Sequence, residues 1–231
     1  MTRLTTILFA TSLAAVVAHA GPRNQESHSL LIKVQPGDMA RYSVKMVFAD
    51  GAQKIEMTGM AQDRVTKVES DGTFTNEHVL AGVRLKIQDQ EIDVTDEKRQ
   101  TSIFKNTGEI VEIVGTNPGD NRFAYVTSIV VPTTPVKDGE TWAREFAPKG
   151  GKAVKLEFQA VGQEKAGSHD AVKVKFKSSE TSGGKPVKAE GHAWISLKDG
   201  RLARMQATVE GVPMGQEGRP TTVTVTLERV Q

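Results

Sequence analysis

DAVKVKFKSSE (residues 170–180) sets a lysine at every second position, Lys173, Lys175 and Lys177, with Val172, Val174 and Phe176 between them. Strand pleating sends these two sets to opposite faces, one apolar and one charged. Such a comb either grips an anion or is the wet face of a strand. Glu157, Glu164 and Glu190 fall at outward parity in neighbouring segments, so cross-strand charge pairs are available to it. Lysine also guards strands against edge-to-edge pairing. The comb is therefore read as a solvated strand face.

The same period of two runs through the chain. Tyr42, Val44, Met46 and Phe48 share one parity, with Ser43 and Lys45 on the other. Val79, Ala81, Val83, Leu85 and Ile87 form a second stripe, opposed by Arg84, Lys86 and Gln88. Val154, Leu156, Phe158 and Ala160 alternate with Lys155, Glu157 and Gln159, and Val223, Val225 and Leu227 with Thr222, Thr224 and Thr226. Asp50-Gly51, Asp71-Gly72, Gly183-Gly184 and Asp199-Gly200 punctuate the stripes as turns. The pattern predicts an all-β protein of antiparallel strands, each with one buried and one wet face.

One segment, NPGDNRFAYVTSIVVPTTPVKDGETW (residues 117–142), breaks the rhythm. Phe123, Val126 and Val130 share a helical face, while Tyr125, Thr127, Ile129 and Val131 share a strand face. The expectation is a short helix from about Asp120, capped by its carboxylate, although the β-branched run 129–131 pulls towards strand. Pro132 and Pro135 then mark a joint. On either side of it GDMARYSVKM (from Gly37) lines up with GETWAREFAP (from Gly139), and NTGEIVEI (from Asn106) with KDGRLARM (from Lys198). Either hairpins share turn residues by chance, or the chain contains two similar strand meanders, about 37–131 and 132–231. Together these would make one strongly bent antiparallel sheet, a half-barrel, or a two-sheet sandwich with at most one or two short helices.

The first residues stand apart. Arg3, the apolar run 7–17 and the small-x-small stretch Ala18-His19-Ala20 fit a secretory signal peptide over 1–20. Residues 21–29 are then expected as a flexible tail and 30–231 as a single β-rich domain. The expected location is periplasmic or extracellular. With no cysteine, no disulfide or cysteine-linked lipid anchor is available. No later apolar run approaches a membrane-spanning length. Thirty Lys+Arg against 28 Asp+Glu, with the signs interspersed, lacks the clustered basic charge of a nucleic-acid binder.

Two stretches carry a resemblance. PTTPVKDGETW (residues 132–142) resembles a Pro-x-x-Pro-Val-x-x-Gly-x-x-Trp signature of uncharacterised exported bacterial β-rich proteins. GHAWISLKDGRLARMQATVEG (residues 191–211) is similar to a hairpin of the periplasmic lipoprotein-carrier superfamily. The resemblance implies a half-barrel whose concave face can hold acyl chains, in the carriers usually under a lid of helices. Both motifs are structural, so no functional residue is carried over. Trp142 is expected to bury a large apolar area and pin the joint. Trp194, at the parity of His192 and Ser196, either lines a groove or covers a second core layer.

Motifs for chemistry are sparse. His28, His78, His169 and His192 lie far apart with no metal-ligand spacing. There is no Gly-x-Ser-x-Gly elbow and no phosphate-binding glycine loop. The acidic stretch Asp89, Glu91, Asp93, Asp96 and Glu97 lacks the calcium-loop pattern and reads as a wet strand. No catalytic, metal or cofactor residue is singled out, and no ligand contact. The expectation is a non-enzymatic exported protein that binds an apolar or amphipathic ligand, lipid- or lipoprotein-like, on a concave sheet. The alternative is a structural or interaction module of the cell envelope. An enzyme would require a cluster of perturbed side chains that meets only in the fold.

Overall fold

The computed structural model describes residues 26–50, 53–148, 151–182, 185–214 and 219–230. The leader 1–20, residues 21–25, Gly51 and the Gly183-Gly184 turn lie outside them. The first half of the chain supplies β1 (Ser27–His28), β2 (Met39–Asp50), β3 (Gln53–Val68), β4 (Phe74–Ile87), β5 (Gln90–Val94), β6 (Lys98–Phe104) and β7 (Ile110–Val114). A 3-10 turn (Pro118–Asn121) and a one-turn helix α1 (Arg122–Val126) follow. The second half supplies β8 (Val136–Lys137), β9 (Thr141–Phe146), β10 (Val154–Ala166), β11 (His169–Glu180), β12 (Lys188–Ser196), β13 (Leu202–Met214) and β14 (Arg219–Arg229).

Twelve of these strands form one antiparallel sheet in the order β7-β6-β4-β3-β2-β14-β13-β12-β11-β10-β9, with β5 also on β4. The sheet bends into a half-barrel and does not close. It consists of two meanders, β2–β7 and β9–β14, joined where the first strand of one pairs the last strand of the other. Along this seam Tyr42 faces Arg229, Val44 faces Leu227 and Met46 faces Val225. The two meanders start alike. Gly37 and Gly139 donate their N–H to Val65 O and Ala160 O, both at 2.8 Å. The Asp38 and Glu140 carboxylates accept from the N–H of Gln35 (2.7 Å) and Lys137 (2.9 Å). Ser27 and His28, from the 21–29 segment, pair with Lys137 and Val136 as a separate two-stranded ladder.

The apolar comb positions fill the concave side of the second half. Val154, Leu156, Val172, Val174 and Phe176 are each at most 1% exposed. Over them lies residues 122–136, a strap carrying α1 and the buried Val126, Val130, Val131 and Val136. Two contacts fix the strap. Trp142 stacks on Phe158 (ring centroids 5.3 Å apart) and donates its Nε1–H to Val130 O at 2.8 Å. The Arg122 Nε–H donates to Glu180 Oε1 at 2.6 Å, and Nη2 of the same guanidinium reaches Oε2. Trp142→Phe keeps the stacking but strands the Val130 carbonyl. It is expected to lower stability by about 1–2 kcal/mol, read from the urea midpoint at unchanged slope.

Three expectations need correction. The Asp120 carboxylate does not cap the helix: Asn121 precedes α1 and makes no side-chain cap bond. The helix also stops at Val126. Thr127 and Ser128 turn their hydroxyls back onto Phe123 O (2.8 Å) and Ala124 O (2.9 Å), offering the backbone another partner. The Ile129–Val131 run is neither helix nor strand. Finally, the stripe on β4 changes parity midway. Met60 pairs with Ala81 while Thr58 pairs with Arg84, and Gly82 sits at φ +59. This bulge places Val83 and Leu85 on the concave side together with Phe74, Asn76, His78 and Leu80, and turns Val79 and Ala81 outward.

Candidate functional site

The strap covers the second half closely but leaves space against the first. There the concave faces of β3, β4, β6 and β7, the strap and the β12–β13 hairpin border a cavity of about 370 Å³ that is open to solvent on one side. That is within the size range of small-molecule sites. Its sheet wall carries Phe74 stacked on Phe104 (5.5 Å, 18°), with Ile110 and Ile113 beside them. The strap adds Phe123, Ile129 and Val131, and the second half adds Ile195, Leu202 and Met205. Both meanders and the joint between them thus contribute to one apolar chamber.

One part of the lining is polar. The His78 Nδ1–H donates to Asp63 Oδ1 at 2.7 Å, and the Arg201 guanidinium lies 4.0 Å from Asp63 Oδ2. The β4 bulge is what delivers His78 here. Arg201 comes from the β12–β13 turn, where its backbone N–H donates to Asp199 Oδ1 at 3.1 Å. Burial pushes the Asp199 carboxyl up, but the Arg229 hydrogen bond (2.8 Å) and the Arg201 N–H outweigh it, leaving the pKa below its ordinary value. The turn is thereby held as a charged, ordered corner. Tyr42 completes this end. Burial, reinforced by the Asp63 charge, pushes its phenol up to about 12, so it stays neutral at physiological pH.

The polar lining residues differ in what they already bond. Thr127 and Ser128 are satisfied by helix carbonyls, and Gln100 Nε2 reaches Asn121 Oδ1 at 3.5 Å. Asn76 and Thr107, 7% and 8% exposed, are different. Asn76 Oδ1 and Thr107 Oγ1 have no hydrogen-bond partner. A buried polar atom left unpaired costs about 1–3 kcal/mol, and native proteins hold few of them. Both belong to residues on the wall of the same cavity. The Asp63–His78 pair has the polarity of a general-base dyad, yet no hydroxyl is hydrogen-bonded to the other ring nitrogen among the described residues.

None of these residues was marked in the sequence as a site. His78 is one isolated histidine among four, and Asp63 and Arg201 are ordinary strand and turn charges until the fold brings them together. His28, His169 and His192 do not line the cavity. Lys173 and Lys177 of the comb lie 3.5 and 3.3 Å from Glu164 and Glu190. Trp194 shares their convex face, 5% exposed over Ala166, Ala171 and Ala203, with Lys173 Nζ 5.0 Å above its ring. It covers a small second layer. The acidic stretch 89–97 includes the exposed strand β5, whose Asp93 meets Arg84 at 3.1 Å. Among the described residues no group of three or more metal-ligating side chains converges, and no helix is long and apolar enough to cross a membrane.

The chain is thus an open, bent antiparallel half-barrel with a strapped concave face. No protein-family model matches it, and no curated protein matches it either. Among solved structures it is similar to a "putative exported protein with YmcC-like fold" from Bacteroides fragilis NCTC 9343. The TM-score is 0.37 at 13% identity, over 87% of this chain and 98% of that one. It is also similar to a "putative lipoprotein" from Parabacteroides distasonis ATCC 8503, with a TM-score of 0.34 at 14% identity, over 89% and 100% of the two chains.

Proposed function

We propose that this is an exported, non-enzymatic protein that binds an amphipathic small molecule in the cavity beneath the strap. The ligand's apolar body lies against Phe74, Phe104, Ile110 and Leu202, and its polar group reaches the Asp63–His78–Arg201 end. The observation that carries this reading is the pair of unpartnered buried atoms, Asn76 Oδ1 and Thr107 Oγ1, on the wall of an otherwise largely apolar chamber. Hydrophobic burial would supply the affinity and the polar groups the orientation. The export signal read over residues 1–20, the resemblance of residues 132–142 to exported bacterial β-rich proteins and that of residues 191–211 to a hairpin of the lipoprotein-carrier superfamily support the same reading.

The test is native mass spectrometry of protein that has been unfolded, stripped and refolded, then offered medium-chain amphiphiles. A one-to-one adduct is expected, and Leu202→Trp, which fills the chamber, should lower its affinity at least about tenfold. The same variant should stay folded, since added side-chain volume enters an existing space. No saturable adduct with any amphiphile, or an adduct indifferent to Leu202→Trp, would remove the cavity from consideration.

A further inference from the structure

The polar end of the cavity holds a positive charge that the protein itself only half answers. Arg201 is 8% exposed. Its guanidinium has one ionic partner among the described residues, Asp63 Oδ2, and at 4.0 Å that contact is beyond hydrogen-bond reach. Asp63 spends its other oxygen on His78. Arginine stays charged under all ordinary conditions and presents five N–H donors in a planar fork. A buried guanidinium with unused donors is costly unless an anion joins it.

Its surroundings favour that completion. The turn carrying Arg201 is braced by the Asp199–Arg229 ion pair at 2.8 Å and by the Arg201 backbone N–H on Asp199 Oδ1, which fixes the point from which the guanidinium extends. Arg201 and Arg229 both lie near Tyr42, whose neutral hydroxyl is available as a donor. Thr107, unpartnered at Oγ1 on the same cavity wall, offers a hydroxyl that can donate, whereas the unpartnered atom of Asn76 is the acceptor Oδ1 and that side chain can donate only through Nδ2. Among the described lining residues Asp63 is the one carboxylate and there is no lysine, and Asp63 is already held by His78.

We propose, resting on the amphiphile-binding reading above, that the cavity is selective for amphiphiles with an anionic head, a carboxylate above all, and that Arg201 is the residue that recognises it. The planar fork matches a carboxylate in two-point geometry, and the apolar chamber beside it takes a single alkyl chain.

Decanoate, decanol and decylammonium, titrated separately into stripped protein and followed by calorimetry, separate this proposal from the reading it rests on. Decanoate should bind about tenfold to a hundredfold more tightly than decanol, because a charge-assisted bond to a buried guanidinium is made in one case and not in the other. Arg201→Gln should erase most of that ratio. Asn76→Asp puts a second carboxylate beside the head without changing side-chain shape. It should lower the decanoate-to-decanol affinity ratio about tenfold or more, which covers the case in which Arg201→Gln fails to fold. Binding of all three ligands with equal affinity, or a decanoate preference that survives both substitutions, would overturn the anionic selectivity and leave the amphiphile site standing. Binding of none would overturn both.

Discussion

Glu180→Ala is expected to destabilise the protein by about 3 kcal/mol, towards the lower end of the range for opening a buried ion pair. The Glu180 side chain is 2% exposed and its carboxylate is fully used. Arg122 takes both oxygens, the Val187 N–H donates to Oε2 at 2.9 Å, and Lys152 Nζ stands 3.5 Å away. Removing it leaves the Arg122 guanidinium, 18% exposed, without its counterion and frees α1 from β11. The same group sets an acid limit. Burial pushes the Glu180 carboxyl up, but the Arg122 and Val187 hydrogen bonds more than offset this, so its folded pKa lies below the ordinary value. A depressed carboxyl stabilises the fold above its unfolded pKa and loses that contribution as the pH falls through the folded one. Urea midpoints across the acid range should therefore fall for the native protein and fall less for Glu180→Gln. Parallel curves would mean that the pair does not hold the strap.

Gly200→Ala should have an effect of similar size by a different route. Gly200 sits at φ +68, and a methyl group there would lie 2.2 Å from Leu31 O and 2.8 Å from Ile32 N. A left-handed conformation costs a non-glycine residue about 1–2 kcal/mol. The collision adds to this by pushing away residues 31–33, whose Lys33 N–H donates to Asp199 O at 2.9 Å. Gly108 repeats the arrangement in the other meander, at φ +86 with a methyl group 2.4 Å from Ile129 O. Each substitution is expected to cost about 3 kcal/mol, or roughly 6–12 °C in Tm for a domain of this size. A change of only a degree or two would show that these corners are pliable. Because both corners also line the cavity, loss of ligand affinity should accompany the loss of stability.

Much of the architecture was legible from alternation alone. Val154 to Ala160 and Val172 to Phe176 form unbroken two-residue stripes, and each lies buried as its parity demands. The paired Gly-acid starts at Gly37 and Gly139 likewise pointed to two similar meanders, without deciding between one bent sheet and a two-sheet sandwich. What the sequence hid was any departure from strict parity. Val79 and Ala81 are as apolar as Val83 and Leu85, so nothing in composition signals that Gly82 inserts a bulge between them. That one residue decides whether His78 faces solvent or cavity. The site was hidden for a related reason. Asp63, His78, Asn76, Thr107 and Arg201 come from two strands and two turns separated by up to 138 positions, and no local spacing links them. The strap was visible as a break in rhythm, but its helix is too short for periodicity to separate from strand.

The pairing of β2 with β14 also has a consequence for how the molecule is made. Ser43 Oγ donates to Glu228 O across 185 residues of sequence, whereas the other neighbours within each meander are joined by local turns. Each meander can begin to zip as its own strands emerge, but the central seam waits for nearly the whole chain to be available. Loop closure of this span is entropically slow, and until it happens two strand edges stand unpaired. Folding speed should then be governed by that single late handshake, with the half-finished molecule most vulnerable to aggregation during the interval before its last strand arrives.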